Sequence, residues 1–104
     1  MDKIFTRVCR LNDLEENRAM VASVEGKQIL LTKVDGGVFA VENHCTHEDF
    51  PLGEGEIVDG QIQCRHHGGR FDIKTGRATQ IPAVVDLKTF EVRIDNNDIL
   101  VAIR

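Results

Sequence analysis

The sequence lacks long apolar runs, an excess of positive charge and any internal repeat. Its apolar runs, such as Ile29-Leu30-Leu31, are too short for a membrane span or for the apolar region of a signal peptide. The 13 Lys and Arg residues are outnumbered by 17 Asp and Glu residues, which gives a formal net charge of -4. Because nucleic-acid-binding proteins concentrate basic residues on one face, we expect no nucleic-acid partner. The short apolar runs lead us to expect no membrane association and a cytoplasmic location.

Cysteine is also scarce, with three residues in 104. An odd number of cysteines in a chain without a recognisable export signal does not favour a disulfide framework, and metal ligation is the better interpretation. Cys45 and Cys64 each lie within two residues of a histidine, whereas Cys9 does not. Cys9 is therefore predicted to be a small buried hydrophobic residue in the first strand.

Short runs of alternating or β-branched residues recur along the chain and predict an all-β fold. Asp35-Gly36-Gly37, Asp59-Gly60 and residues 95–98 separate pairs of these runs and are typical of hairpin turns. Only residues 13–20 suggest a helical turn. We expect one domain, residues 1–104, built as an antiparallel, hairpin-rich sandwich or barrel. Its predicted strands lie at residues 5–9, 20–24, 29–34, 38–41, 57–58, 61–63, 89–94 and 99–103.

The middle of the chain differs from the rest in composition. Residues 43–84 contain all four histidines, both prolines, two of the cysteines and most of the glycines. We interpret this part as a loop-rich binding subdomain on a β scaffold formed by residues 1–42 and 85–104. Loops held by a rigid scaffold are where binding sites usually lie.

Two short stretches of this subdomain combine thiols with imidazoles. The first, HCTHED, contains Cys45 and His47, which project to the same side if the segment is extended. The second, CRHHGGRFD, contains Cys64 and the adjacent histidines His66 and His67. Sixteen residues separate His47 from Cys64, enough for a hairpin that brings the stretches together. Two thiols and two imidazoles are suited either to an iron-sulfur cluster or to zinc.

The pattern C-x-H-x16-C-x2-H resembles that of the Rieske proteins, in which two cysteines hold one iron of a 2Fe-2S cluster and two histidines hold the other. The resemblance implies a Rieske fold and the ligands Cys45, His47, Cys64 and His67, so that His66 is not a ligand. In length and hairpin order the chain is similar to the Rieske-type ferredoxins of bacterial aromatic-ring dioxygenase systems. This similarity to the ferredoxins implies that the chain is an electron carrier between a flavoprotein reductase and a terminal oxygenase. It would then have no catalytic activity of its own.

The resemblance also implies residues that surround the cluster. Gly68 and Gly69 would let backbone N–H groups approach the sulfides, with a simple turn as the alternative. Pro82, in Ile81-Pro82-Ala83, would belong to a third loop over the cluster, or else be an ordinary strand-edge proline. Rieske proteins of high potential carry Ser and Tyr where this chain has Gly69 and Phe71. The loss of both hydroxyl donors predicts a low reduction potential.

Two alternatives belong to other functional classes. The first is a Rieske-type small subunit of a reductase such as nitrite reductase, although such subunits often lack an intact ligand set. The second is a zinc-stabilised interaction module, but structural zinc sites usually begin with two cysteines, whereas each pair here joins one cysteine to one histidine. His44 matches no ligand position and is predicted to be a solvated histidine.

Overall fold

The computed structural model describes residues 4–44, 52–65, 68–81, 83 and 85–103. Within these ranges the chain forms ten strands and two short 3-10 turns, Leu11–Asp13 and Leu52–Glu54, so the predicted all-β fold is confirmed. The strands are β1 (Phe5–Arg10), β2 (Ala19–Val24), β3 (Lys27–Val34), β4 (Gly37–Glu42), β5 (Glu56–Val58), β6 (Gln61–Gln63), β7 (Arg70–Asp72), β8 (Ala78–Gln80), β9 (Thr89–Asp95) and β10 (Asp98–Ala102).

Six strands form the larger, antiparallel sheet in the order β1-β10-β9-β4-β3-β2. The edge strands β1 and β2 contact each other, so the sheet curls almost into a barrel. The smaller sheet has the order β5-β6-β7-β8 and is also antiparallel. All four of its strands lie within residues 43–84, the segment predicted to carry the site.

The hairpin turns follow from local backbone chemistry. Asp35 and Gly36 have φ values of 52° and 80°, and Asp59 and Gly60 have values of 53° and 75°. A two-residue loop with positive φ at both positions matches the twist of the flanking strands, and Asp-Gly is a favoured pair for it. The turns predicted at Asp35-Gly36 and Asp59-Gly60 are confirmed, as is the turn between β9 and β10.

The helical turn predicted over residues 13–20 was wrong. The 3-10 turn lies earlier, at Leu11–Asp13, where the Asp13 carboxylate accepts a hydrogen bond from the Arg10 N–H at 2.9 Å. The chain then runs beside β3: Glu16 bridges to Lys33, and the Asn17 N–H donates to the Lys33 carbonyl at 2.8 Å. Pairing with an existing strand outweighed a weak helical pattern.

Two buried clusters lie on opposite faces of the larger sheet. Strand β3 contributes to both, because alternate residues of a strand face opposite sides: Ile29 and Leu31 enter the barrel, while Leu30 and Val34 face the smaller sheet. This explains the uninterrupted apolar run in β3. The barrel core also contains Cys9, Leu14, Val24, Ala40, Ile99 and Val101. The core between the sheets also contains Val41, Leu52, Ile62, Cys64, Phe71, Ile73, Ala83 and Leu87.

Strands β7 and β8 were not predicted from the sequence. Each has only three residues, too few to display a period-two pattern, and no Asp-Gly pair marks the turn between them as Asp59-Gly60 does between β5 and β6. Among the residues that the structure describes, no helix has the length and apolar character needed to cross a bilayer.

Candidate metal centre

Of the four predicted ligands, only Cys64 is among the described residues. Cys45, His47 and His67 lie outside them, as does Pro82. Cys64 directly follows β6, is 1% exposed and belongs to the core between the sheets. A cysteine at this position is held in place by the packing of its side chain in this core.

The backbone around Cys64 closes a tight loop between β6 and β7. The Cys64 N–H donates to the Gly69 carbonyl at 2.7 Å, and the Gly68 N–H donates to the Cys64 carbonyl at 3.0 Å. Gly68 has a φ of +79°, a backbone conformation that strongly favours glycine. The Gly68 N–H thus has a partner within the turn, and its role as a donor near the sulfides stays a prediction.

Two side-chain amides converge on the same loop. Gln63 in β6 and Gln80 in β8 each place Nε2 3.4 Å from the Gly68 carbonyl oxygen, and these strands flank β7 on either side. At this length each bond is weak. Sequence reasoning missed both glutamines, because their relation to Gly68 depends on the order of strands in the smaller sheet.

A third segment packs directly on this loop. A Cβ atom at Gly69 would lie 3.0 Å from the Cβ of Ala83 and 3.1 Å from its backbone nitrogen. Ala83 is buried and follows Pro82 in the sequence. Glycine at position 69 thus permits a close approach between the loop after Cys64 and the segment in which the sequence predicts a third cluster loop.

Pairing of β5 with β6 places the chain that follows the first ligand stretch, at residues 55 and 56, beside the start of the second stretch. Glu56 is opposite Gln63, the residue before Cys64. Gly55 approaches the Gln63 carbonyl so closely that a side chain at position 55 would collide with it. The chain leaving residues 45–51 therefore lies beside the residue that leads into Cys64.

The described surroundings of Cys64 fit a cluster ligand. A cavity of about 530 Å³ has Cys64 in its wall, next to backbone and side chains of small or polar residues. The thiol is not in a disulfide. Two thiols and two imidazoles are the donor set of a Rieske cluster. The described residues lining the cavity are Gly55, Glu56, Gln63, Cys64, Arg65 and Gly68.

Cys9 and His44 behave as predicted. Cys9 lies in β1 with 7% of its surface exposed, and burial raises the pKa of its thiol, which makes it a poor nucleophile and a poor ligand. His44 is exposed after the end of β4.

Comparison with known proteins agrees with this geometry. Residues 4–91 match the model of the Rieske [2Fe-2S] domain. The chain therefore belongs to the Rieske family, and its cofactor is a Rieske-type 2Fe-2S cluster. This result sets aside the zinc alternative.

Relatives of known function and known structure cover nearly the whole chain. The biphenyl dioxygenase ferredoxin subunit of Pseudomonas sp. (strain KKS102) is 33% identical over 98 residues, 93% of this chain and 90% of that protein. The ferredoxin of carbazole 1,9a-dioxygenase from Nocardioides aromaticivorans IC177 has a TM-score of 0.92 and 30% identity, covering 96% of this chain and 98% of that one. A ferredoxin solved in complex with the oxygenase of carbazole 1,9a-dioxygenase has a TM-score of 0.90 and 29% identity, covering 97% and 94%.

Proposed function

We propose that this chain carries single electrons from a flavoprotein reductase to the terminal oxygenase of an aromatic-ring-hydroxylating dioxygenase system. The observation that carries the proposal is the near full-length similarity to ferredoxin subunits of such systems, combined with a buried cysteine at the predicted ligand position. The oxygenase as partner is supported by the similar ferredoxin that was solved bound to one. A flavoprotein reductase as donor is proposed from the similarity to components of these dioxygenase systems, in which the carrier needs a source of electrons.

The proposed ligands are Cys45 and Cys64 for one iron and His47 and His67 for the other. The cluster supplies one-electron chemistry when bound. The rigid position of Cys64, between the core and the closed turn at Gly69, supports its role because a ligand held in place needs no rearrangement on electron transfer. Gly68, Gly69 and Pro82 are proposed to shape the space around the cluster.

The chain has the composition of a carrier rather than of an oxygenase. A mononuclear iron that activates dioxygen generally needs two histidines and a carboxylate. After His47 and His67 are assigned, only His44 and His66 remain. Both lie next to the cluster ligands in the sequence, which argues against a second, separate iron site.

We further propose that the carrier works in the cytoplasm and docks briefly, through a small interface of less than ~1,200 Å². Glu48 and Asp49 follow His47 in the sequence, and the net charge is -4. Both features favour electrostatic guidance toward a basic surface on the partner.

The direct test is electron delivery. Protein purified anaerobically and reduced by a flavoprotein reductase is mixed in a stopped-flow instrument with an aromatic-ring-hydroxylating oxygenase and, in parallel, with the catalytic subunit of a nitrite reductase. We expect rapid reoxidation by the oxygenase only, slowed several-fold when ionic strength rises from about 0.01 to 0.1 M, because the Debye length falls to ~10 Å. Reoxidation by the nitrite reductase alone would favour the other carrier class. Loss of the salt effect would refute electrostatic guidance while leaving the carrier role intact.

A further inference from the structure

Asn43 is a buried polar residue at the point where the first ligand stretch begins. It directly follows β4, is 7% exposed, and precedes Cys45 by two residues. Buried side-chain amides are retained where their donors and acceptors are used. The question is what the Asn43 amide holds together.

Both ends of the amide have partners from different parts of the chain. Oδ1 accepts a hydrogen bond from the Gly53 N–H at 2.7 Å. Nδ2 donates to Oε1 of Gln28 at 3.2 Å. Because a backbone N–H can only donate, the oxygen must face Gly53, which fixes the orientation of the amide.

Gly53 lies on the other side of the first ligand stretch. It follows His47 by six residues and belongs to the 3-10 turn Leu52–Glu54. A Cβ atom at Gly53 would lie 2.6 Å from Cγ2 of Val21 and 3.4 Å from Oδ1 of Asn43, so only glycine brings its backbone this close. The preceding residue, Leu52, is fully buried in the core between the sheets.

The Asn43–Gly53 hydrogen bond thus joins the two ends of the segment that contains Cys45 and His47. Closing a loop reduces the conformations available to the residues inside it. The bond is partly buried, so it competes less with solvent than an exposed hydrogen bond would. The hydrogen bond from Asn43 to Gln28 does not close this loop, because Gln28 is exposed and lies on β3, outside the ligand segment.

We propose that Asn43 is a positioning residue for the cluster, which sets the separation of the two ends of the first ligand segment and thereby holds Cys45 and His47 in ligating geometry. The proposal rests on the function proposed above, because it requires those two residues to be ligands. The amide oxygen is the essential atom, and the bond to Gln28 only supports its orientation.

The test compares cluster retention with global stability in the loaded protein. Asn43→Leu keeps the volume but removes the acceptor, Asn43→Asp keeps an acceptor for the Gly53 N–H, and Gln28→Ala removes only the second contact. Ile99→Val, in the barrel core, is the control for general destabilisation. Iron and acid-labile sulfide per chain, the rate of bleaching by a chelator, the reduction potential and the thermal midpoint are measured for each variant.

We expect Asn43→Leu to bleach at least tenfold faster than Ile99→Val and to show a shifted potential and visible circular dichroism. Asn43→Asp should recover most of the retention, and Gln28→Ala should resemble the unmodified protein. If Asn43→Leu loses the cluster no faster than Ile99→Val at a similar thermal midpoint, Asn43 is only a structural residue. Absence of iron and sulfide from the unmodified protein would instead refute the proposed function.

Discussion

The two sheets of this protein are stabilised in different ways. Strands in the larger sheet have five to eight residues, and the sheet encloses a core of its own. Strands in the smaller sheet have three residues each, and its buried side chains all belong to the core shared with the larger sheet. A sheet of such short strands needs additional support.

That support comes from turns and connecting segments. The Gly76 N–H donates to the Asp72 carbonyl at 2.7 Å, and the Leu87 N–H donates to the Gly76 carbonyl at 2.6 Å. Leu87 is buried in the shared core and leads back into β9. A bound cluster would add a further crosslink, because its proposed ligands come from two segments of the chain. We therefore predict that the smaller sheet depends on the cluster for stability and that the larger sheet does not.

The largest expected effect comes from removing a proposed ligand. His67→Ala should abolish the cluster and loosen the smaller sheet, because one iron loses a ligand and the crosslink is lost. Amide hydrogen exchange should then rise in β5 to β8 and stay low in β3 and β10. The matched control His66→Ala, at the neighbouring position, should keep the red-brown colour and the iron content. A colourless His66→Ala together with a coloured His67→Ala would reverse the ligand assignment.

The second-largest effect distinguishes the core between the sheets from the barrel core. Ile73→Ala and Ile99→Ala remove the same atoms from residues that are 1% and 0% exposed, and each should cost about 2–5 kcal/mol of unfolding free energy. Only Ile73 shares a core with Cys64, so only Ile73→Ala should speed cluster release to a chelator under native conditions. Equal release rates from the two variants would show that the sheets unfold as one cooperative unit.

The smallest effect concerns the reduction potential, for which we propose the low end of the Rieske span of about -150 to +300 mV. Gly69→Ser combined with Phe71→Tyr should raise the potential by roughly 60 mV, a tenfold change in a one-electron equilibrium, because hydroxyl donors stabilise the added negative charge. Phe71 is fully buried in the core between the sheets, which also contains Cys64. Protein-film voltammetry would measure the change.

The structure also shows how to distinguish the effects of the two substitutions on the reduction potential. A serine Cβ at position 69 would press on Ala83, so Gly69→Ser displaces a neighbouring segment, whereas Phe71→Tyr adds one oxygen to an existing ring. Phe71→Tyr alone should therefore give a clean partial increase. Phe90→Tyr, against the barrel core, should leave the potential unchanged. A lowered or unchanged potential in the double variant would refute the hydroxyl argument.

The sequence by itself determined the features that depend on neighbouring residues and on fixed offsets. Asp35-Gly36 and Asp59-Gly60 predicted their turns because few residue pairs adopt positive φ twice in succession. The spacing of Cys45, His47, Cys64 and His67 indicated the family, because four ligand residues of two types at defined offsets carry much information. The ligand assignments themselves remain predictions.

Only the tertiary structure decided which distant segments meet. Pairing of β4 with β9 at Ala40 and Phe90 has no signal in either strand, since every strand edge offers the same backbone donors and acceptors. The approach of Gly69 to Ala83 and the bond from Asn43 to Gly53 depend in the same way on how the two sheets pack. Turn chemistry is local and therefore readable along the chain, whereas contacts across sheets arise from the packing of the whole core.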